Sequence, residues 1–406
     1  MSFIAPFRAL RPAADMAARV ASVPYDVVNA DEARALASGE PLSFLHVTRS
    51  EIDLPAGTPP YADEVYARAA GNLHHLQQTA ALVQDAEPSL YIYRLRMGTH
   101  EQTGVAGVFA VDEYEQGSIK KHEKTRKDKE DDRTRHIVET GAQTGVVFLT
   151  FRQSAAVESG IARAVARPAI YDFTAPDGVT HQLWQVSGGD AVALVRAFRD
   201  IPALYIADGH HRAASAARAR RDLALAGRPS PDADRFIAVA FSDAAVQILP
   251  YNRAVKDLAG QTAQSFLSAL DRHGMPATPG RATPERPGRV SMFLDGRWFE
   301  FPLPAPEAGA PRDATLDVEV LQRVVLGPLL QVGDPRTDKR VEFVGGIRGA
   351  AELERLVQSG HAAVAFSLHP VGIDDLLAIA DAGGIMPPKS TWFEPKLRDG
   401  LLVHLV

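Results

Sequence analysis

Short apolar runs alternate with alanine-rich segments of helical spacing, and this alternation limits the possible folds more than any other feature. Runs of roughly four to eight apolar residues beside Gly, Pro or Asp are typical of buried strands. They predict strands at 89–95, 104–111, 146–151, 203–207, 236–241 and 362–368. The helical spacing predicts helices at 61–81, 191–198, 213–226, 264–273 and 350–359. Interleaved strands and helices predict an α/β (α+β) chain with mixed sheets.

The length of 406 residues predicts two or three domains at roughly 150 residues each. Residues 276–289 are rich in Pro, Gly and Arg and predict a loop or linker. We expect an N-terminal α/β portion, 1–255, and a C-terminal α/β portion, 256–406. The sequence contains no internal repeat of fixed period.

Composition excludes several classes of protein. Cysteine is absent, which excludes disulfides, thiolate nucleophiles and cysteine-bound zinc. A net charge of −6 argues against a nucleic-acid-binding protein, which needs a basic domain or face. No apolar run is long enough to span a membrane, and the first residues lack the pattern of a signal peptide. These features predict a cytoplasmic chain without a nucleic-acid or membrane partner.

The segment 204–212 (LYIADGHHR) carries the strongest chemical signal, because an apolar strand ends in Asp208 and an alanine-rich helix follows. Backbone amides at the start of a helix bind anions, and Gly209 permits a tight turn. Arg212 can hold phosphate oxygens by paired hydrogen bonds. His210 and His211 can donate to phosphate or titrate near neutrality. Asp208 can bind Mg²⁺ or act as a base; the alternative is that it only caps the helix.

A second segment, 120–133, has many charges of both signs and is basic overall. It predicts a solvated loop or helix that closes over an anionic ligand. Within it, Glu123 is a candidate base and His122 a neighbouring catalytic candidate. Glu51, in the 46–51 segment, is a second candidate base.

A third segment, 383–396, is a proline-stiffened loop with two lysines and two hydroxyls. Lys389 and Lys396 can pair with phosphate, and the hydroxyls of Ser390 and Thr391 can complete its coordination. The alternative is a rigid turn that leads the chain into a last strand. The spacing is not that of a P-loop, and no GxSxG elbow or strand-linked GxGxxG occurs.

Across nearly its whole length the sequence resembles the bacterial and archaeal family called domain of unknown function 1015. The resemblance rests on the segments 24–27 (PYDV), 49–52 (RSEI), 122–125 (HEKT), 132–133 (DR), 206–212 (IADGHHR), 250–253 (PYNR), 343–346 (FVGG), 386–391 (MPPKST) and 393–396 (FEPK). The family's name implies no activity.

The Asp208–Arg212 segment is also similar to the nucleotide-phosphate motif of the ParB/sulfiredoxin superfamily, in the form found in kinases of free serine. That resemblance implies a nucleotide-binding core and phosphoryl transfer, with Mg²⁺ and ATP or ADP, to a hydroxyl acceptor such as L-serine. Sulfiredoxin activity is excluded because the chain has no cysteine. The DNA-binding helices and basic surface of ParB proteins are not apparent.

Four interpretations follow. The leading one is a small-molecule kinase that binds a nucleotide and a small acceptor, with a homodimer left open. The second is a nucleotide-binding regulatory module without efficient turnover. The third is a metal-dependent phosphohydrolase built on Asp208, Glu123, His210 and His211. A structural scaffold is the remaining alternative.

Overall fold

The structure is a computed structural model that describes residues 3–406. The chain forms two compact units: unit 1 comprises Met1–Val246 and Pro395–Val406, and unit 2 comprises Gln247–Glu394. The division into 1–255 and 256–406 stays a prediction about domains, but the last twelve residues belong to unit 1. The predicted linker at 276–289 lies inside unit 2.

Unit 1 is built of strands and helices that alternate along the chain. Its strands up to residue 246 are β1 (Ile4–Ala5), β2 (Leu10–Pro12), β3 (Leu82–Gln84), β4 (Leu90–Met97), β5 (His100–Ala110), β6 (Ile119–Lys120), β7 (Ala142–Gln143), β8 (Val147–Phe151), β9 (Tyr171–Thr174), β10 (Thr180–Val186), β11 (Leu204–Asp208) and β12 (Arg235–Ser242). Its helices are α1 (Ala17–Val20), α2 (Ala30–Ala37), α3 (Leu45–Thr48), α4 (Asp63–Gln78), α5 (Val111–Glu115), α6 (Lys127–Thr140), α7 (Ala155–Val165), α8 (Gly188–Ala197) and α9 (His210–Leu225).

The main sheet of unit 1 is mixed. Among the described residues it has nine strands in the order β6-β11-β8-β12-β5-β4-β10-β9, with β1 paired to β5. The pairs β6–β11 and β8–β12 are parallel, and the remaining pairs are antiparallel. The predicted α/β class with mixed sheets is therefore confirmed.

The central strands of this sheet are buried on both faces, which explains their continuous apolar runs. Every residue of β8 is buried. On one face, α9 packs against α6 and against the sheet. The alanines of α9, including Ala213, Ala216 and Ala217, are buried, so their small side chains let the helix approach its neighbours closely.

Unit 2 contains a separate sheet, and the chain then returns to unit 1. Its strands are β13 (Gln247–Leu249), β14 (Tyr251–Val255), β15 (Thr278–Pro279), β16 (Arg289–Leu294), β17 (Arg297–Pro302), β18 (Val341–Gly345), β19 (Val364–Leu368) and β20 (Trp392–Glu394), and its helices are α10 (Ala263–Arg272), α11 (Asp317–Leu321), α12 (Gly349–Gln358) and α13 (Ile373–Asp381). Six of these strands, within the part of the chain described, form an antiparallel sheet in the order β15-β17-β16-β19-β14-β18. β13 pairs with β20. In unit 1, β21 (His404–Leu405) pairs with β7.

Every strand and helix predicted from the sequence is present, with ends that differ by a few residues. The predicted strand 203–207 is β11, and the predicted helix 213–226 is α9, which begins earlier, at His210. Within residues 3–406, no helix is both long and apolar enough to cross a membrane.

Candidate functional site

Two parallel strands bring two of the predicted segments together. β6 and β11 are neighbours, with Ile119 opposite Leu204 and Lys120 opposite Tyr205. Because parallel strands point the same way, the segments that follow them leave the same edge of the sheet. The 122–125 segment follows β6, and the 209–212 segment follows β11. The 122–125 and 209–212 segments therefore lie side by side at this edge.

The turn after β11 depends on a glycine. Gly209 has a φ of 94° and its N–H donates to Oδ1 of Asp208 at 2.9 Å. A Cβ at Gly209 would make only ordinary contacts, 3.4 Å from Arg212 Cδ and from Val147 Cα. Glycine is therefore favoured by the left-handed backbone rather than by lack of space. α9 begins at the next residue, and the first amides of a helix have no intrahelical acceptor.

Both histidines of the turn accept hydrogen bonds from the backbone of the neighbouring segment. The N–H of His122 donates to Nε2 of His210 at 3.4 Å, and the N–H of Arg126 donates to Nε2 of His211 at 3.0 Å. The rings of His122 and His210 meet edge to face, with centroids 4.4 Å apart. These contacts attach the 122–126 segment to the start of α9.

The buried histidines are neutral. Burial lowers the pKa of His122 to about 4 and lowers the pKa of His210 well below its ordinary value. Of the two roles considered for His210, titration near neutrality does not fit, because its ring is buried beside a second imidazole. Donation to phosphate by His210 stays a prediction.

The two candidate bases occupy different surroundings. Glu123 has an exposed fraction of 38%, and its Oε2 lies 3.8 Å from Nδ1 of His210. Glu51 lies in a 3₁₀ helix, Ser50–Asp53, and pairs with Arg49 at 2.9 Å. Arg49 in turn donates to the carbonyl of Tyr25 at 3.4 Å. Glu123 thus borders the turn directly, whereas Glu51 is connected to its surroundings through Arg49.

Asp208 is held by a lysine from the end of the chain. Nζ of Lys396 lies 3.1 Å from Oδ2 of Asp208. Burial alone would raise the pKa of Asp208, but the charges of Lys396 and Arg212 outweigh it and hold that pKa well below its ordinary value. Asp208 is therefore ionised at any physiological pH. The segment Pro395–Val406 belongs to unit 1, so Lys396 and Asp208 lie in the same compact unit.

Arg212 lies beneath the turn and is buried. Its guanidinium donates to both oxygens of Asp26, at 3.0 and 3.3 Å, and to the carbonyl of Val146. One of its nitrogens lies 3.7 Å from Oδ2 of Asp208. Burial would lower the pKa of Arg212, but Asp26, Asp208 and Asp399 raise it. The prediction that Arg212 contacts phosphate stays a prediction; its observed partners are carboxylates and a carbonyl.

The residues that surround Arg212 were not among the predicted site residues. Asp26 pairs with Arg212, and the ring of Tyr25 lies 4.3 Å from the guanidinium of Arg133. Asp399 is 1% exposed and influences Arg212 through its charge. Tyr25, Asp26 and Arg133 lie in segments on which the family resemblance rests, which was an unused signal. Asp399 lies after the last of those segments, so no signal in the sequence pointed to it.

The other predicted phosphate ligands lie in unit 2. Ser390 is buried and its hydroxyl donates to the carbonyl of Pro387 at 2.6 Å. Lys389 has a φ of 55°, and its Nζ lies 5.5 Å from the centre of the Tyr251 ring. Thr391 follows as a half-buried residue. Phosphate binding by Lys389, Ser390 and Thr391 stays a prediction.

The donor set at the turn suits Mg²⁺ only as a nucleotide complex. Among residues 3–406, no group of three or more His, Cys, Asp or Glu residues is arranged to hold a metal ion. Nε2 of His210 and of His211 already accept backbone N–H groups, so these atoms are not available as metal ligands. Mg²⁺ needs fewer protein ligands, because one carboxylate and the substrate phosphates can hold it. Asp208, which is ionised and 29% exposed, can supply that carboxylate.

A profile of the family described as "Protein of unknown function (DUF1015)" matches residues 4–322. No curated protein matches the chain. The resemblance predicted from the sequence segments is confirmed over most of the chain.

Several solved structures are similar to this one at low sequence identity. One is SbnI with a C-terminal truncation from Staphylococcus aureus, 13% identical, with a TM-score of 0.39, covering 74% of this chain and 87% of that chain. A conserved hypothetical protein from Pyrococcus furiosus is 15% identical, with a TM-score of 0.36 and coverage of 74% and 95%. A free serine kinase variant in complex with ADP is 14% identical, with a TM-score of 0.36 and coverage of 73% and 92%. The serine kinase is among the expected relatives, but likeness at this level carries no argument about function.

Proposed function

We propose, for a chain that belongs to the DUF1015 family, that unit 1 transfers a phosphoryl group from ATP or ADP to the hydroxyl of a small acceptor such as L-serine. The observation that carries this proposal is the convergence of three features at one turn. The start of α9, Lys396 and the carboxylate of Glu123 all border Asp208 or its neighbours. Phosphoryl transfer requires mainly such positioning and neutralisation of charge.

The phosphates bind, in this proposal, at the amides of His210 and His211, and the amide of Gly209 joins them when it releases Asp208. Partial positive charge at the start of a helix favours an anion there. Lys396 adds a full charge beside Asp208. The 122–126 segment stays against the turn because the backbone N–H of His122 donates to the buried ring of His210. The buried guanidinium of Arg212 stabilises the turn by its ion pairs with Asp26 and Asp208.

Asp208 would hold the Mg²⁺ that accompanies the nucleotide. When bound there, Mg²⁺ neutralises charge on the transferring phosphates. The carboxylate is prepared for this because Lys396 and Arg212 keep it ionised. Its Oδ2 pairs with Lys396 before the nucleotide arrives. With Lys396 turned towards phosphate, the carboxylate of Asp208 would be free to hold the ion.

Glu123 is the base that takes the proton from the acceptor hydroxyl. Its carboxylate is partly exposed beside the turn, so a small molecule can reach it. Glu51 is the second candidate, and its pairing with Arg49 makes it less accessible. L-serine as acceptor is taken from the resemblance of the Asp208–Arg212 segment to free serine kinases. A cytoplasmic location and a homodimer stay predictions.

A coupled turnover assay tests this function. The protein is incubated with Mg²⁺, ATP or ADP, and a panel of hydroxy amino acids led by L-serine. We expect nucleotide consumption that depends on one acceptor and falls at least about 100-fold in Asp208→Asn. Absence of acceptor-dependent turnover with every nucleotide and acceptor would contradict the kinase.

A nucleotide-binding regulatory module is the second candidate. It is favoured by the contacts of Asp208, since both carboxylate oxygens already have partners within the chain. Glu123→Gln separates the two candidates. A kinase loses turnover in this variant and keeps its nucleotide affinity, whereas a binding module keeps the affinity and has no turnover to lose. Glu51→Gln is the matched control and leaves a kinase that uses Glu123 active.

A further inference from the structure

Two carboxylates in unit 1 lie beside one buried guanidinium, and the charge of a third acts on it. Asp26 and Asp208 lie 3.0 and 3.7 Å from a terminal nitrogen of Arg212, and the charge of Asp399 also acts on it. Lys396 is the second cation of this group, through its contact with Asp208. We call these five residues the Arg212 cluster. With every carboxylate ionised, three negative charges face two positive charges.

Asp399 is the member of the cluster that water cannot reach. It is 1% exposed, and its backbone is fixed by two hydrogen bonds with the backbone of Ser22, at 3.0 and 3.1 Å. The carboxylate accepts a hydrogen bond from the N–H of Tyr25. Its Oδ2 has no hydrogen-bond partner among the residues that the structure describes. A fully buried charge with an oxygen left unbonded is costly, and the cost is avoided when the group carries a proton.

The groups around Asp399 come from three parts of unit 1. The charges of Arg212 in α9, of Arg133 in α6 and of Asp26 before α2 act on it, and the backbone N–H of Tyr25 donates to it. Burial raises the pKa of Asp399 to about 7, the arginines and the Tyr25 amide oppose this, and Asp26 adds to it. Arg133 already faces Asp132 at 2.8 Å, so it compensates Asp399 only in part.

We infer that Asp399 is a positioning residue for the phosphate site, which acts through Arg212 and takes up a proton when an anion binds at the Asp208 turn. The inference rests on the proposed function for the place where the anion binds. Without Mg²⁺, a phosphate beside Lys396 draws that cation away from Asp208 and adds negative charge to a cluster that already has an excess. The buried carboxyl is the group whose protonation removes this excess. Arg212 is then shared by Asp26 and Asp208 alone, which keeps Asp208 in place.

The sign of the pH dependence follows. Binding that takes up a proton is tighter at low pH and weakens as pH rises through the range in which the free protein loses that proton. We expect the affinity of the wild-type protein for ADP to fall about 3-fold to 10-fold between pH 6.5 and 8.5. In Asp399→Asn, which keeps the shape but cannot titrate, the affinity should change less than about 2-fold over the same range.

Calorimetric titration with ADP in the absence of Mg²⁺, in two buffers of different ionisation enthalpy, tests the inference. At pH 7.5 the terminal phosphate is largely ionised, since its second pKa is about 6, so most of the uptake comes from the protein. We expect net proton uptake by the wild-type protein and little by Asp399→Asn. Asp177→Asn is the matched control. It removes a carboxylate that pairs with Arg398, the residue next to Asp399, and should leave the proton uptake unchanged.

The outcomes separate the inference from the proposed function. ADP binding with equal proton uptake in wild type and Asp399→Asn would overturn the role of Asp399 and leave the phosphate site standing. Absence of ADP binding to the wild-type protein would overturn the proposed function, and the inference with it. If Asp399→Asn fails to fold, the wild-type titration still decides, because zero uptake at pH 7.5 contradicts the inference.

Discussion

Each unit contains a buried arginine, and their surroundings differ. In unit 1, Arg212 lies among Asp26, Asp208 and Asp399. In unit 2, Arg253 donates to backbone carbonyls of Tyr251, Pro388 and Lys389. The carboxylates raise the pKa of Arg212, whereas burial lowers the pKa of Arg253 to about 10.

Arg212 therefore acts mainly through its charge, whereas Arg253 acts mainly by hydrogen bonds that stabilise a turn. Arg212 lies below a helix start and a partly exposed carboxylate, where its charge influences any ligand. Arg253 donates to two carbonyls of the 387–391 turn. Within the same turn, the buried hydroxyl of Ser390 donates to the carbonyl of Pro387. Two segments that both read as phosphate sites in the sequence thus have different surroundings, and only the unit 1 turn combines a helix start with carboxylates.

The largest expected effect is that of Arg212→Met. Removal of the guanidinium leaves Asp26, Asp208 and Asp399 without a shared cation, which should destabilise unit 1 by about 3–5 kcal/mol. Hydrogen exchange of the amides in β11 and α9 measures this loss within the unit. The triple change with Asp26→Asn and Asp399→Asn should recover part of it. A loss below about 1 kcal/mol would contradict the charge-sharing account.

The next effect is a pH dependence caused by Asp399. Its pKa is raised from 3.8 to about 7 in the folded protein, so the folded state binds this proton more tightly than the unfolded state. The wild-type protein should therefore lose stability relative to Asp399→Asn as pH rises from about 4 to about 7, by about 2–4 kcal/mol. Urea unfolding of both proteins at pH 5 and pH 8 gives the difference. Parallel stability curves would show that Asp399 ionises at an ordinary pH.

Arg253→Met should cost less than Arg212→Met. It removes hydrogen bonds to backbone carbonyls but leaves no carboxylate unpaired, so we expect about 1–3 kcal/mol, confined to unit 2. The exchange rates of β14 amides report it, and those of β11 serve as the internal control. An equal or larger loss than for Arg212→Met would remove the distinction between the two arginines.

The smallest effect concerns Ser390. The hydroxyl donates to the carbonyl of Pro387, so Ser390→Ala should destabilise the turn by about 1 kcal/mol. If this hydroxyl only stabilises the turn, the affinity for ADP stays unchanged in the variant. If it binds phosphate, the affinity for ADP falls. Isothermal titration distinguishes the two roles, and Thr391→Ala tests the second hydroxyl of the turn in the same way.

The sequence predicted the elements and part of the site, for reasons that differ between residues. β11 and α9 were predictable because a buried strand and an alanine-rich helix have distinct periodicities. β6, with only two residues, was too short to give such a signal, although it is the strand that brings Glu123 to His210. The neutrality of His210 depends on burial and on the neighbouring ring of His122, which lies 88 positions away, so local pattern does not show it. Asp399 acts through burial, which only the fold creates.

Nucleotide binding by a charge-neutralised variant of Lys396 tests the central claim most directly. The account places the phosphates at the Asp208 turn beside Lys396. Isothermal titration with ADP and Mg²⁺ should show at least about 10-fold weaker binding to Lys396→Met than to the wild-type protein. Lys389→Met, titrated in parallel, measures what the unit 2 turn contributes. Unchanged affinity in Lys396→Met would contradict the account, because the phosphates would then bind elsewhere.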